Sequence, residues 1–364
     1  MQIIKDVSAD PVAVGRIDPA TIVFGKTFSR HSFVAEFKDA AWQSARIAPI
    51  EPFSLHPGAL VLHYAQSIFE GLKAFAQPDG GVALFRPERN ARRFQASAAR
   101  MAMPLVEEAL FLEAILGLVA ADHAYIPGFP GSLYVRPAMI ATQPYLGVRS
   151  SSEFKFFVVT LPAGVYFPGL ASGAGAVDVL ISESMVRAFP GGTGNVKTAA
   201  NYAITLQVTS KAAAAGCGQV LFLDSSPDRR VEELGGMNVM FVEEGSLVTP
   251  PLNDTILAGV IRDSVLQLAK DQGLPVREYA YTLKELHEGL QTGKITEAIA
   301  CGTAAVVTGI RRFHLENGGT IPVGDASGPG PITSALFENL QGIQYGRLPD
   351  THGWLMHVDG VHLD

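Results

Sequence analysis

The sequence predicts a mixed α/β protein of the α+β kind, built from two domains. Its 364 residues exceed what one domain usually needs, and 48% of them are hydrophobic, so two separate cores are expected. Apolar, β-branched runs alternate with segments of helical spacing in both halves of the chain. Between the halves, residues 164–175 are rich in glycine and carry no charge, which is typical of a linker.

The N-terminal domain is predicted to span residues 1–165, followed by a linker at 166–176. Its strands are predicted at 82–85, 133–142 and 154–161, and its helices at 88–101 and 106–121.

The C-terminal domain is predicted to span residues 177–364. Its strands are predicted at 177–181, 219–223, 238–242 and 295–301, and its helices at 199–215, 259–271 and 332–340. Ligand sites often form in the crevice between two such domains, so we expect the site there.

Charge and composition favour a small metabolite as the ligand. The net charge of −7 and the isoelectric point near 5.7 argue against nucleic acid or an anionic membrane as partner. Residues 1–6 lack the features of a secretory signal, and the longest uncharged stretch, 156–177, is interrupted by prolines and glycines. A soluble, cytoplasmic protein without a membrane segment is therefore expected.

Cysteine and histidine spacing predicts neither a disulfide nor a metal site. Cys217 and Cys301 are the only cysteines and lack C-x-x-C spacing, which suits a reducing cytoplasm. His352, His357 and His362 recur every five residues without an accompanying carboxylate motif, so they are taken as ordinary tail residues.

One lysine, Lys197, follows a glycine-rich approach, Gly191-Gly192-Thr193-Gly194-Asn195-Val196, and precedes Tyr202 by five residues. A lysine amine suits covalent chemistry when its site desolvates it or opposes its charge, and glycines let backbone and ligand approach closely. An isolated lysine is more often a solvated surface charge. The run therefore indicates a Schiff-base lysine only together with the rest of the chain.

The same run is one position away from the phosphate loop G-x-x-x-x-G-K-[ST], and 219–224 imitates a magnesium-binding strand. Val196 stands where that loop needs glycine, and residues 185–190 are not an apolar strand leading into it. A nucleotide triphosphatase is thus disfavoured.

Two small-residue segments could bind an anion through backbone amides. Gly259 opens a predicted helix, where unpaired N–H groups and the positive dipole end attract phosphate, although a glycine cap without a ligand is commoner. Residues 302–305 (Gly-Thr-Ala-Ala) follow a buried strand and offer free amides, or equally a tight turn that needs small side chains.

An acidic pair, Glu232 and Glu233, runs into glycines ahead of an apolar strand. Two solvated acids in a turn would be the default interpretation, but a buried carboxylate facing a cationic ring nitrogen is what a pyridine cofactor needs to act as an electron sink. Alternation along an extended run predicts that Glu232 points away from Glu233, into solvent. Lysine, tyrosine, phosphate-binding amides and one carboxylate together suggest pyridoxal phosphate.

Taken in order, these segments resemble the branched-chain amino acid aminotransferases, which are fold-type-IV pyridoxal phosphate enzymes. The resemblance extends from about Phe24 to Trp354. Its motifs are Phe24-Gly25, Leu55-His56-Pro57-Gly58, His63-Tyr64-Ala65, Phe69-Glu70-Gly71-Leu72-Lys73-Ala74-Phe75, Leu84-Phe85-Arg86-Pro87, Tyr134-Val135-Arg136-Pro137, residues 164–169, the Lys197 run, Glu233-Leu234-Gly235-Gly236-Met237-Asn238 and Cys301-Gly302-Thr303-Ala304-Ala305. The resemblance implies a smaller N-terminal α+β domain and a larger C-terminal domain with a barrel-like sheet.

The resemblance also implies roles toward the cofactor, pyridoxal 5′-phosphate. Lys197 would form the Schiff base and shuttle the proton between the substrate α-carbon and the cofactor C4′. Tyr202 would hydrogen-bond the phenolic oxygen, and Glu233 the pyridine nitrogen. The phosphate would be held by Arg93, the amides of Val260 and Ile261, and Thr303.

For the substrate, the resemblance implies a carboxylate site and an aliphatic pocket. The amides around Thr303, Ala304 and Ala305, with Tyr64 from a second subunit, would receive the carboxylate. The pocket walls would be Phe24, Phe69, Tyr134 and Tyr166. Arg136 would lie near them, where a glutamate side chain must also fit.

Two positions depart from the family pattern. Ala305 and Thr308 replace the C-x-x-C that some members carry after this turn, so thiol regulation of that type should be absent. Gly236 stands where some relatives have threonine, which leaves the hydrogen bonding of that turn open.

The implied activity is reversible amino transfer between leucine, isoleucine or valine and 2-oxoglutarate, by a homodimer with ping-pong kinetics. A D-amino acid aminotransferase and an aminodeoxychorismate lyase are the alternatives of the same fold. Outside the enzymes, a phosphate-ligand binding protein without turnover stays open.

Overall fold

The computed structural model describes residues 1–7, 17–167 and 175–363. It divides into two compact units. Unit 1 comprises Met1–Tyr166, Val196–Ala199 and Gly342–Asp364, and unit 2 comprises Phe167–Asn195 and Ala200–Gln341, within the described ranges. The predicted division into 1–165, 166–176 and 177–364 stays a prediction, and residues 168–174 of the predicted linker lie outside the described residues. The units differ from it in one respect, because residues 196–199 and 342–363 group with the N-terminal part.

Unit 1 is built on a mostly antiparallel sheet, nine strands of which are described. The strands are β1 (Ile4–Lys5), β2 (His31–Lys38), β3 (Ala41–Pro49), β4 (Ser67–Phe69), β5 (Leu72–Ala76), β6 (Val82–Phe85), β7 (Ser132–Ala141), β8 (Phe154–Ala163) and the distant β18 (Leu355–His357). Their order is β1-β3-β2-β8-β7-β5-β6-β18, with β4 paired to β7. The helices are α1 (Leu60–Tyr64), α2 (Pro87–Arg100) and α3 (Glu108–Ala121), with 3-10 turns at Pro19–Thr21 and His123–Tyr125.

Strand alternation gives this sheet two different faces. Leu133 and Val135 of β7 point into the core under α2 and α3, where Phe111 stacks on Phe156 and the tilted Phe94 ring packs against it. The intervening positions of β7, beginning with Tyr134, therefore lie on the opposite face. That face carries the side chains singled out as a pocket wall.

Unit 2 contains a second, mixed sheet, also with nine described strands. They are β9 (Ala176–Ser182), β10 (Gln219–Leu223), β11 (Val231–Leu234), β12 (Asn238–Glu243), β13 (Ser246–Thr249), β14 (Val276–Glu278), β15 (Ile295–Gly302), β16 (Val306–His314) and β17 (Thr320–Pro322). Their order is β11-β10-β9-β16-β15-β12-β13-β14, with β17 paired to β16. The helices are α4 (Ala200–Ala203), α5 (Leu206–Ala214), α6 (Val260–Asp271), α7 (Leu283–Gln291) and α8 (Pro331–Gln344), whose last three residues belong to unit 1.

The predicted mixed α+β class is confirmed, and the described residues form two sheets. One predicted element is wrong: the helix expected at 199–215 is divided into α4 and α5. The Thr205 hydroxyl donates to the Tyr202 carbonyl at 2.8 Å, and the chain turns at 204–205 before α5 begins. This side-chain bond competes with the helical hydrogen-bond ladder.

Candidate active site

In unit 1, Lys197 lies on a short segment that is fixed to the edge of β4. The Lys197 amide donates to Ser97 Oγ at 3.1 Å, and its carbonyl accepts from the Phe69 amide at 3.0 Å. The next residue, Thr198, is fully buried and donates its hydroxyl to the Ser67 carbonyl at 2.7 Å. The half-buried Lys197 side chain places Nζ 5.0 Å from the centroid of the Phe69 ring. The backbone of this lysine is therefore held from both sides.

Next to this segment lies a buried ion pair between Glu70 and Arg93. Arg93 Nε and Nη2 donate to the two Glu70 carboxylate oxygens at 2.7 and 2.8 Å, and Asn90 Nδ2 adds a third bond at 2.7 Å. Burial alone would raise the pKa of Glu70, but Arg93, Lys197 and Asn90 together hold it below its ordinary value. The Arg93 guanidinium is thus oriented by a carboxylate that the sequence motif contains but that we had given no role.

The expected pocket walls of unit 1 form one contiguous cluster. The Phe24 ring meets Tyr134 and Tyr166 edge to face, at centroid distances of 5.0 and 5.5 Å. Arg136 lies over Phe69 and donates from Nη2 to the Tyr134 hydroxyl at 2.8 Å. The cluster presents an aromatic surface and one guanidinium.

Glycine is required beside this cluster. A Cβ on Gly71 would lie 2.0 Å from the Tyr134 hydroxyl oxygen, so no larger residue leaves that ring in place.

A second lysine, Lys73 of β5, lies directly opposite Tyr134 of β7 in the strand register. Burial lowers the pKa of Lys73 to about 8, which makes it the lysine that could rival Lys197 as a nucleophile.

Tyr64 lies apart from that cluster, at the end of α1. It is 40% exposed and donates its hydroxyl to the Leu146 carbonyl. Leu62 of the same helix, and Leu146 and Val148 of the segment that Tyr64 bonds to, are also exposed, at 58%, 65% and 86%. Tyr64 and these three side chains, with Tyr145, form what we call the α1 apolar patch.

In unit 2, Glu233 is held in a buried network. Arg187 Nη2 lies 2.6 Å from Glu233 Oε1, and both side chains are 5% exposed. Asn238 Nδ2 donates to Glu233 Oε2 at 2.8 Å, and the Leu257 amide donates to Oε1 at 3.2 Å. Arg187 and Asn238 fix the orientation of this carboxylate, and sequence reasoning gave neither a role.

Glu232 does not point into solvent, contrary to expectation. It is 4% exposed, because two residues of β11, Glu232 and Glu233, lie opposite the single residue Phe222 of β10. Such an extra residue interrupts strict alternation of side chains. Both carboxyls accordingly meet the segment around Thr255. Burial raises the pKa of Glu232 to about 7.

The two amides expected to bind phosphate, those of Val260 and Ile261, open α6 directly after Gly259. Gly259, the N-cap residue, has no side chain with which to cap this helix start. A Cβ on Gly259 would lie 2.0 Å from Asn238 Oδ1, so the position requires glycine. The N-terminus of α6 is therefore packed closely against the residue that holds Glu233.

Thr303, Ala304 and Ala305 form the turn between β15 and β16. Val306, directly after it, has a φ of +61°, which a β-branched residue rarely adopts. Strained backbone of this kind clusters at functional sites. Thr308, at the second redox position, donates to the Ala305 carbonyl at 3.2 Å.

Tyr202 is half-buried on the short helix α4, which follows a cross-linked loop. Thr193 and Asn201 exchange two hydrogen bonds across that loop, at 2.8 and 2.5 Å. Tyr202 therefore lies on a single helical turn, between this loop and the turn at 204–205.

Within unit 1 the structure gathers Lys197, Phe69, Arg93, Tyr134, Arg136, Phe24 and Tyr166, and leaves Tyr64 apart. Within unit 2 it gathers Glu233 and the start of α6. No group of His, Cys, Asp and Glu in the part of the chain that is described could hold a metal ion. Nor is any helix among those residues long and apolar enough to cross a membrane.

Comparison with known proteins assigns the family. The family model for amino-transferase class IV matches residues 67–313, so the chain belongs to the class IV aminotransferases. It is 45% identical over 343 residues to the branched-chain-amino-acid aminotransferase of Mycolicibacterium smegmatis, covering 92% of each chain.

Two solved structures of branched-chain amino acid aminotransferases are similar over 91% of this chain. The enzyme of Escherichia coli is 25% identical and matched over 100% of its length, with a TM-score of 0.75. The enzyme of Thermobaculum terrenum, solved in its PLP-form, is also 25% identical and matched over 99% of its length, with a TM-score of 0.73.

Proposed function

We propose that this chain is a branched-chain-amino-acid transaminase. It exchanges the amino group reversibly between leucine, isoleucine or valine and 2-oxoglutarate, giving the branched 2-oxo acid and glutamate. The observation that carries the proposal is a fixed lysine, Lys197, beside a wall that offers both aromatic surface and the Arg136 guanidinium, in a chain of this family.

The cofactor we propose is pyridoxal 5′-phosphate, and the donor groups present suit it. Arg93 and the amides of Val260 and Ile261 are chemically suited to phosphate, because a guanidinium and a helix N-terminus both favour anions. Thr303 would add a hydroxyl. The buried Glu233 carboxylate suits a protonated ring nitrogen, and Tyr202 suits the phenolic oxygen.

When bound, pyridoxal phosphate supplies the electron sink that stabilises negative charge at the substrate α-carbon. Lys197 Nζ would take the proton from the substrate α-carbon and deliver it to the cofactor C4′, and would move it back when the reaction runs in reverse. Hydrogen bonds to Ser97 and Phe69 fix the backbone of Lys197, so only rotations of the lysine side chain are needed to bring Nζ to the substrate.

The pocket walls explain how one site could accept two unlike side chains. Phe24, Tyr134 and Tyr166 offer apolar contact to a branched aliphatic group. Arg136 offers a guanidinium to the side-chain carboxylate of glutamate. Because both half-reactions use this wall, ping-pong kinetics follow.

The substrate α-carboxylate would be received by the amides of the Thr303–Ala305 turn and by Tyr64. We propose that Tyr64 serves the site of a second subunit, so the active form is a homodimer. The α1 apolar patch supports this, because several exposed apolar side chains on one helix and on the segment bonded to it are typical of an interaction surface. The cytoplasmic location expected from the sequence stays a prediction.

The test is spectroscopic and chemical. Purified protein should show visible absorption that leucine bleaches and 2-oxoglutarate restores, and borohydride followed by peptide mapping should label Lys197. Lys197→Ala should still bind the cofactor and lose at least about 10²- to 10⁴-fold in turnover. A label on Lys73 would refute the choice of lysine, and a colourless protein that gains no colour with added cofactor would refute the function.

A further inference from the structure

Unit 2 places two adjacent buried carboxyls beside a single guanidinium. Arg187 is buried, and its Nη2 lies 2.6 Å from Glu233 Oε1. Its Nη2 also donates to the carbonyls of Gly194, at 3.2 Å, and of Thr255. Glu232 is 4% exposed, and its Oε2 has no hydrogen-bond partner among the described residues.

The hydrogen-bond pattern around Thr255 indicates where a proton must be. The Thr255 hydroxyl donates to Asn253 Oδ1 at 2.9 Å, and the Thr255 amide donates to the same oxygen at 2.9 Å. A hydroxyl has one hydrogen and can otherwise only accept. Glu232 contacts the Thr255 side chain. Because the hydroxyl hydrogen is already given to Asn253, the Thr255 oxygen can take part in that contact only as an acceptor.

Charge accounting leads to the same assignment. Charged groups near Glu232 include Arg187, Glu233 and Asp224. Asp224 is itself bonded to the Ser226 hydroxyl at 2.7 Å and the Arg230 amide at 2.8 Å. Among the chain's own groups, the Arg187 guanidinium is paired with Glu233, no described ion pair involves Glu232, and burial opposes an unpaired negative charge.

We propose that Glu232 is a positioning residue, kept as a neutral acid that donates to Thr255 Oγ1, so that the Arg187 guanidinium serves Glu233 alone. Glu232 touches neither substrate nor cofactor in this assignment. It fixes the charge state of the network that orients Glu233, and to that extent the inference rests on the proposed function. It needs a proton from water and no other reactant.

The direct test is infrared difference spectroscopy on the full-length protein, wild type against Glu232→Gln. The wild type should show the carbonyl stretch of a neutral carboxylic acid, lost in the variant and titrating near pH 7. Glu285→Gln is the matched control, because the pKa of Glu285 is lowered and its removal should change carboxylate bands only. Absence of the neutral-acid band overturns the proposal.

A second readout separates a proton-holding role from a packing role. The unfolding temperature of the wild type should fall, relative to Glu232→Gln, as the pH rises from 4.5 through 7, because the raised pKa favours the folded state only while the acid is neutral. Glu232→Met keeps the volume but removes the donor, and should bind the cofactor about five- to tenfold more weakly. Glu232→Gln should bind it as the wild type does.

A Glu232→Gln protein that keeps the wild-type pH dependence, or that binds as poorly as Glu232→Met, would count against a neutral acid. Borohydride mapping bears on the transaminase function alone. The infrared band bears on the protonation of Glu232 alone, so failure of one does not mimic failure of the other.

Discussion

Replacing Glu70, the buried partner of Arg93, by glutamine should lower the stability of unit 1 far more than the same change in the exposed partner of the neighbouring Arg92. Glu70 is fully buried and binds Arg93 through two bonds of 2.7 and 2.8 Å. Removing one partner of a buried ion pair costs about 3–5 kcal/mol, because the other charge is left uncompensated. Glutamine keeps the shape and still accepts from Asn90, so we expect a loss of about 3 kcal/mol in the free energy of unfolding.

The chain supplies a matched control in Glu108→Gln. Glu108 pairs with Arg92, the neighbour of Arg93 on α2, at 3.3 Å, but these side chains are 37% and 61% exposed. An exposed pair of this kind contributes less than about 1 kcal/mol. The two variants therefore make the same chemical change to partners of adjacent arginines and differ in burial.

Urea unfolding followed by tryptophan fluorescence is the appropriate assay. The protein has two tryptophans, Trp42 and Trp354, and both belong to unit 1, as Glu70 does. The midpoint should shift at constant slope if only stability has changed. Equal shifts for Glu70→Gln and Glu108→Gln would refute the reasoning.

The pH dependence gives an additional check. The pKa of Glu70 is held below its ordinary value of 4.5, so its contribution is present above pH 4.5 and is lost as the pH falls through the lowered value. The difference between wild type and Glu70→Gln should thus be constant near neutrality and shrink only in acid.

Three further outcomes are expected. Gly259→Ala should lower the free energy of unfolding by about 1–3 kcal/mol and weaken cofactor binding, because the added Cβ would lie 2.0 Å from Asn238 Oδ1. The control Gly236→Ala should change neither, because its Cβ would meet no described atom within 4 Å. Mild peroxide should leave activity unchanged, because burial raises the pKa of the two thiols to about 11 and about 12; reversible loss restored by a thiol would contradict this. Co-expressed Tyr64→Phe and Lys197→Ala chains should regenerate activity in mixed dimers, and activity no higher than that of either variant alone would exclude a borrowed tyrosine.

Periodic elements and the lysine run could be predicted from the sequence because local pattern determines them. The strands expected at 82–85 and 219–223 begin and end at those residues in the structure, since apolar runs with turn residues at both ends have few alternatives. Tyr134 and Arg136 share a face because β7 is regular. Each of these follows from spacing alone.

Glu232 shows where spacing fails. Its burial depends on one extra residue of β11 opposite Phe222. The sequence of β11 alone does not predict which strand it pairs with or where the register shifts. Arg187 was missed for a related reason. It lies in residues 183–190, where no periodic pattern indicates burial, and only the folded loop brings it to Glu233.

The last strand of unit 1 has a consequence for how the protein is made. β18 completes the sheet edge at β6, with Leu355 opposite Phe85, the Trp354 carbonyl accepting from the Arg86 amide at 2.8 Å and the Trp354 ring meeting Phe85 at 5.6 Å. About 190 residues separate Tyr166 from this strand. At a synthesis rate of about 5–20 residues per second, roughly 10–40 s pass on the ribosome before β18 emerges.

During that interval the β6 edge is an unpaired strand beside exposed aromatic surface, which is the kind of edge that other chains can pair with. A fragment that ends at Tyr166 keeps that edge permanently. The sheet of the N-terminal part is therefore complete only after β18 has been synthesised and has paired with β6. We expect chaperones to bind nascent chains whose synthesis stops before β18.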